Sequence, residues 1–570
     1  MKRSIIFLFL FVCQVITTTA QKKAPKWLEN AEKAIVTIET TTKEGMTKTG
    51  PGFLISENGE AIASYELFRK AEKAFLSTSD GVRLPVTHIL GADMMYGVIR
   101  FKVTLPKKTA FLQVAKVSPV MSATVFLPPS KEEKNLAQGA ITEITKMGGV
   151  YDYFKIEMPL PQSQNGFPLL TETGEVFAIA QADASGKGNT FGLSLAYIQS
   201  LQATATDIFN RSYSDISIRN AWASDVENAQ IALMLYSAQQ DAATYLETLT
   251  DFIATFPTDA GAYFKRASHY AFLRKELAST ENEQLQMLDK AWNDLESAAK
   301  LSKNKGDGFY NKARLIFEVV AGDSLPLYKN WNLKTVDENL QKAIKEANLP
   351  AYRQLEGEIA FYKEDYEKAY SSFMTVNQSS ESSGVSFYLA AKSKQLIEGT
   401  NLMEVISLID NAVTKSPPEE AAAYLLENID LKIQLGLYDQ VIEDYNKYLV
   451  LTKGDVSDAF YYYRQQAKFR SGDFEGALKD IETAILMDKT NALYFAEKAS
   501  VCLRLNDIQI AQESAEKALE LDEEFASAYR LLGICLIRQE KQTEACSIFI
   551  KAKELGDPLV DRLIRENCNE

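Results

Sequence analysis

Ala477, Ala511 and Ala545 stand 34 residues apart, and so do Ala484, Ala518 and Ala552. A small residue at this interval lets two antiparallel helices approach backbone to backbone, and such a period marks stacked helical hairpins. The helical period takes over near residue 226 and predicts about nine hairpins across 226–558, followed by a tail at 559–570. Their second helices contain 248–256, 291–298, 336–343, 369–376, 405–412, 441–448 and the three alanine-marked copies.

Tyr529, Gly533, Ala545, Phe549 and Ala552 supply the large, small, small, aromatic and small positions of a pattern that resembles the tetratricopeptide repeat. Pro257 and Pro417 fall at that family's closing position, where a helix has to end. The early copies are irregular, with insertions around 275–286 and 322–331. The resemblance implies a concave groove that recognises a protein partner or an extended peptide. The grip that some members place on a C-terminal carboxylate is not matched, because the inner-face positions hold Tyr462, Gln466, Ala496, Ser500, Arg530 and Ile534.

Arg470, Arg504 and Arg538 repeat at the same 34-residue interval. Two readings stand side by side. They form a basic ladder for an acidic peptide, or they complement the helix dipole and cap carbonyls in the last turn of each first helix. Phe460, Tyr461, Tyr462 and Tyr463 cannot all face the core of one helix, so one or two face the groove or the next repeat. The candidate binding residues are therefore Tyr461, Tyr462, Tyr463, Arg470, Arg504, Arg530 and Arg538.

A chain of 570 residues exceeds one core. Its net charge of -14 argues against nucleic acid as a partner. Residues 1–20 read as an export signal, with Lys2 and Arg3, an apolar stretch from Ile5 to Ile16, and a small-residue end at Thr18-Thr19-Ala20. No later segment suits a membrane span, so the expectation is a soluble protein of the bacterial periplasm or cell exterior. Cys502, Cys535, Cys546 and Cys568 fit no zinc or redox spacing; they read as packing residues, with one disulfide left open. Ser185-Gly-Lys-Gly188 lacks the earlier glycine and the Ser or Thr of a phosphate loop and reads as a turn. No metal or cofactor is expected.

Residues 27–200 have a different texture. Short β-rich runs such as 34–38, 53–55, 74–76 and 98–101 alternate with turn clusters, which predicts a sandwich or barrel. Three stretches are more specific: Gly50 to Phe68, Gly91 to Val103, and Ser163 to Ala180 followed by Phe191 to Ile198. In order and spacing they resemble the trypsin-like serine proteases of the high-temperature-requirement branch, which implies two packed six-stranded barrels. Acyl transfer by that route needs a hydroxyl nucleophile, an imidazole and a carboxylate. Those positions fall on Asn165, Glu66 and Gly97 (Tyr96 if the alignment slips by one), and two pocket glycines become Ser163 and Phe167. The two histidines, His88 and His269, lie elsewhere, in a strand and a repeat helix. The catalytic set is therefore empty, and the cleft remains as a place to bind.

The expected architecture is an all-β double barrel, a connector at 201–225, and an all-α solenoid. The expected function is an exported, catalytically inactive protein-binding scaffold. One alternative is a hydrolase built on Glu66 with a second acid such as Asp93. Another makes the β domain a structural cap for the first repeat.

Overall fold

The computed structural model describes residues 24–183, 188–322 and 328–568. The export signal expected at 1–20 lies outside the described residues, as do most of the Ser185–Gly188 turn and part of the insertion near 322–331. The chain divides into two compact units, Met1–Thr280 and Glu281–Glu570.

In the first unit, α1 (Leu28–Ala34) precedes β1 (Ile35–Thr42), β2 (Thr47–Leu54) and β3 (Glu60–Ser64). Helix α2 (Tyr65–Phe68) leads to β4 (Ala71–Ser77), β5 (Arg83–Asp93) and β6 (Val98–Val103). These strands close into a barrel in the order β1-β2-β3-β6-β5-β4. Strands β7 (Thr124–Leu127), β8 (Ala137–Met147), β9 (Tyr151–Glu157), β10 (Pro168–Leu170), β11 (Val176–Ala182) and β12 (Thr190–Ser194) close a second barrel, β10-β11-β12-β9-β8-β7. Counted from its own first strand, the second barrel has the same circular order as the first.

Alternation drives each closure. Strand β1 buries Val36, Ile38, Thr40 and Thr42 while the residues between them stay partly or fully exposed. Each barrel has an apolar core, and a third core joins Phe53, Ile55, Ile62 and Val98 of the first barrel to Leu170, Ile179 and Leu193 of the second. A large apolar side chain buried this way contributes about 1.5–3 kcal/mol. That contact is ample to hold the barrels together.

Past β12 the chain forms α3 (Leu195–Ser200), a 3-10 turn (Ala205–Phe209) and α4 (Arg211–Ser214). This connector is packed chain rather than loose linker. Buried Tyr213 accepts a hydrogen bond from the Ala92 amide at 3.1 Å, and Asn220 pairs with Ile89 of β5. Next come α5 (Val226–Ser237), α6 (Ala242–Thr255), α7 (Ala260–Phe272) and α8 (Arg274–Leu277). The α5–α6 hairpin is tied to the first barrel. Asp251 of α6 accepts from Trp222 Nε1 at 2.9 Å and lies 3.2 Å from His88 Nε2, while Arg219 pairs with Glu247.

The second unit begins with α9 (Glu281–Leu301), which packs on α10 (Lys305–Gly322). Helix α10 pairs with α11 (Leu333–Glu346), α12 (Pro350–Tyr362) with α13 (Tyr366–Asn377), and α14 (Gly384–Gln395) with α15 (Leu402–Lys415). Then α16 (Pro418–Gln434) pairs with α17 (Tyr438–Leu451), and α18 (Asp458–Ser471) with α19 (Phe474–Met487). The last hairpins are α20 (Ala492–Arg504) with α21 (Ile508–Leu521) and α22 (Ala526–Arg538) with α23 (Gln542–Glu554). Helix α24 (Val560–Asn567) lies against α23.

All six period-setting alanines are buried, as close helix approach demands. At Gly533 a Cβ would lie 2.4 Å from the Phe549 ring, so no larger residue fits there. Gly357 and Phe373 repeat this lock at the same sequence separation, with 2.6 Å to the ring. Asp480 anchors the α18–α19 hairpin: Arg464 donates to both its oxygens at 2.7 and 2.8 Å, and Lys468 pairs with it at 2.8 Å. A disulfide joins Cys546 of α23 to Cys568 just beyond α24, while Cys502 and Cys535 are free, buried thiols packed with Ala511. The architecture is a double β-barrel domain followed by an α-solenoid.

Candidate functional site

The cleft corresponding to the protease-like stretches is a cavity of about 340 Å³ walled by both barrels, with Ser64, Tyr96, Gly97, Tyr153, Asn165 and Gln181 among its lining residues. A 3-10 turn at Gln162–Gln164 delivers Asn165, and the next residue, Gly166, takes a φ of 93°. The Asn165 amide donates to the Gln162 carbonyl at 3.2 Å, and its side-chain Oδ1 accepts from the Ala182 amide at 3.1 Å. The Gly166 amide donates to Ala180 O at 2.8 Å, and the Ala180 amide to Phe167 O at 2.8 Å. The end of β11 is thus already engaged, where an added peptide strand needs open donors and acceptors.

Gln181 crosses the cleft. Its Nε2 donates to Tyr96 O at 2.7 Å, and its Oε1 accepts from the Tyr153 hydroxyl at 3.1 Å. Burial pushes the Tyr153 phenol above its ordinary value, so it remains a donor. Sequence reasoning missed Gln181, because a glutamine bridging two barrels belongs to no motif and its partners are remote in the chain. Phe167 does not block this cleft; it is buried in the core of the second barrel.

The structure brings Gly97 and Asn165 to the cleft but not Glu66. Gly97 has a φ of 67° and its carbonyl accepts from the Tyr65 amide at 3.0 Å. The Glu66 side chain is 64% exposed on α2, 3.9 Å from Arg69. Asp93, the acid weighed as its partner, accepts from the Tyr197 hydroxyl at 2.5 Å and the Tyr96 amide at 2.9 Å. Among the described residues no carboxylate, imidazole or amine lines the cleft, and its described walls offer hydrogen bonds. The histidines are engaged elsewhere: His88 with Asp251, and His269 with the Ala242 carbonyl at 2.7 Å.

Along the first helices of the last hairpins, the aromatic run divides. Phe460 is buried, and Tyr461 packs against the same core with the Arg464 guanidinium 5.5 Å from its ring. Tyr462 is half-buried with its ring 5.6 Å from Tyr494, and Tyr463 is 57% exposed. Arg530 donates through Nε to buried Asp557 at 2.9 Å. Arg470, Arg504 and Arg538 are exposed, and among the described residues none makes an ion pair or hydrogen bond. Arg504 lies 5.7 Å from the Phe469 ring. The Glu497 carboxyl is pushed up by burial against the opposing pull of Gln466 and the Arg530 and Arg470 charges. Among the described residues no group of metal-ligating side chains is assembled.

No family model matches the chain. A curated relative, the small glutamine-rich tetratricopeptide repeat-containing protein 2 of Saccharomyces cerevisiae, is 30% identical over 95 residues, 16% of this chain. The chain spans 28% of that relative's length. Among solved structures, the crystal structure of the serine endoprotease from Yersinia pestis matches 31% of this chain and 67% of its own at 16% identity and a TM-score of 0.26. Part of the chain is thus similar in sequence to a tetratricopeptide-repeat protein.

Proposed function

We propose that the chain is an exported protein-binding scaffold, in which a catalytically silent trypsin-like double barrel precedes a tetratricopeptide-type array that recognises a protein segment. The observation that carries this reading is the cleft. Gln181 and Tyr153 engage each other across it, its strand end is closed by Asn165 and Gly166, and among the described residues no acid–base residue lines it. Recognition then falls to the array, whose first helices keep exposed Tyr463 and unpaired arginines. The Cys546–Cys568 disulfide supports an oxidising compartment outside the cytoplasm. We assign residues 27–200 to the barrel domain, 201–225 to the connector and 226–558 to the array.

A second role for the barrels is favoured by the ties of His88 to Asp251 and Arg219 to Glu247. The first joins β5 and the second the connector to α6, and both support a reading in which the barrel domain caps the α5–α6 hairpin.

The test uses the exported chain carrying a photo-crosslinking residue at Tyr463 or at Met95 on the rim of the cleft. Specific crosslinks from the first position and not the second support the scaffold. Casein turnover that vanishes in Glu66→Gln or Asn165→Ala would overturn it.

A further inference from the structure

We propose that Arg470, Arg504 and Arg538 form an anion ladder that binds an extended acidic protein segment, one carboxylate per repeat. The proposal deepens the scaffold reading and rests on it.

The first ground is that these cations are not needed where they stand. Each lies in the last turn of a first helix, followed by a left-handed residue: Gly472, Asn506 and Glu540 have φ of 91°, 61° and 63°. The backbone closes each helix by itself. The amides of Asp473, Asp507 and Lys541 donate to Lys468 O, Cys502 O and Leu536 O, each at 2.9 Å. This six-to-one bond is the Schellman closure, which satisfies the carbonyls a basic side chain would otherwise cap. No guanidinium of the three reaches a helix-end carbonyl.

The second ground is charge. The chain carries 76 acids against 62 Lys and Arg, so three arginines left without an ion pair among the described residues, at equivalent positions of successive repeats, are open to an acidic ligand. Other cations on the same first helices are paired: Arg464 and Lys468 with Asp480, Lys498 with Glu482, Arg530 with Asp557. Two of the acids that follow in sequence are occupied, while Glu540, two residues after Arg538, is exposed. Asp473 and Asp507 accept amides at the start of the following helices, at 2.9 and 3.4 Å. Glu497 is a carboxylate within the field of Arg470, and burial is what pushes its carboxyl up.

Spacing then fixes the form of the ligand. Packed helices in successive repeats lie about 10 Å apart, which is roughly three residues of extended chain at about 3.3 Å each. An acid at every third residue of an extended segment meets one arginine per repeat. A guanidinium takes a carboxylate with two parallel hydrogen bonds, which gives direction as well as charge.

The test is fluorescence anisotropy on the full exported chain at low salt. The probe is a labelled peptide of three Ser-Asp-Gly triplets. Controls carry the same three aspartates in a row, or asparagines in their place. The triplet probe is expected to bind most tightly and to weaken with salt. Each of Arg470→Gln, Arg504→Gln and Arg538→Gln should weaken it about threefold, as for exposed charge pairs. The triple variant should weaken binding about 27-fold with an unchanged thermal midpoint.

Equal affinity for the spaced and contiguous probes, or full affinity in the triple variant, overturns the ladder. So does tighter binding of an oligothymidine or of anionic vesicles. If crosslinking at Tyr463 still captures a partner while every acidic probe fails, the scaffold stands and the ladder falls. If the triplet probe binds as expected while no partner is captured, the scaffold reading falls, and the ladder as a site for a protein segment falls with it.

Discussion

In the cleft between the barrels, Asn165, Gln181, Tyr153 and the end of β11 partner one another. On the first helices of the last three hairpins, Arg470, Arg504 and Arg538 are exposed and make no ion pair or hydrogen bond among the described residues, Arg504 resting only near the Phe469 ring. The first arrangement follows from burial, because a polar group removed from water without a partner costs about 1–3 kcal/mol. The second costs little, because exposed charges stay hydrated. A pocket of side chains that satisfy one another has little left to offer a ligand, whereas a row of hydrated charges keeps its capacity to bind.

The sharpest way to break this contrast is to unsatisfy a buried charge inside the array. Asp480→Ala leaves Arg464 and Lys468 buried without their anion, and urea unfolding should show a loss of about 3–5 kcal/mol. A loss under about 1 kcal/mol would mean that the array tolerates unpaired charge in its interior as well as on its surface. Replacing both Cys546 and Cys568 with serine opens a loop of 22 residues and should cost about 3 kcal/mol. Hydrogen exchange should place that loss in α23 and α24 and leave the barrels unchanged.

Gln181→Leu tests the other side of the comparison. It removes the partner of Tyr96 O and the Tyr153 hydroxyl and should cost about 1 kcal/mol in the barrel transition. Acquired affinity for extended peptides in this variant would show that the bridging glutamine keeps the cleft shut.

Protonation separates the regions further. Burial pushes the Asp251 carboxyl up, but the hydrogen bonds and charge of His88, with Trp222 and Arg219, outweigh it and hold the group below its ordinary 3.8. A depressed carboxylate stabilises fully above its unfolded value and loses that contribution as pH falls through its folded one. The first unit should therefore weaken below about pH 4, and Asp251→Asn should flatten that limb of a urea-midpoint profile. The smallest expected effect is at Glu497. Removing its charge with Glu497→Gln should tighten the triplet probe about twofold, and no change would place the carboxylate outside the field of the ladder.

Most of the fold was legible in the sequence because its signals are local. Strand alternation and turn clusters announce the barrels, and alanines one repeat apart announce the hairpins. The Gly357–Phe373 lock is legible in hindsight, since it copies Gly533–Phe549, but the surrounding copies are too irregular to reveal it unaided. Other features depend on distant contacts. The Gln181 bridge, the tie between His88 and Asp251, and the pairing of Cys546 with Cys568 join residues far apart in the chain, which spacing alone does not specify. At the cleft, the residue types at Asn165 and Gly97 were readable, but the outward turn of Glu66 was not, because a four-residue helix sets it. The division among Tyr461, Tyr462 and Tyr463 likewise needed neighbouring helices.

The bond between Cys546 and Cys568 also changes what a protease can do to the array. The turn from Leu555 to Leu559 is a natural place to be cut, with Gly556 at a φ of 84° and Leu559 exposed. Cleavage there would leave α24 covalently attached to α23. The nicked chain would run as one species on a gel until a thiol separated it into two, and its final hairpin would stay covered in the meantime.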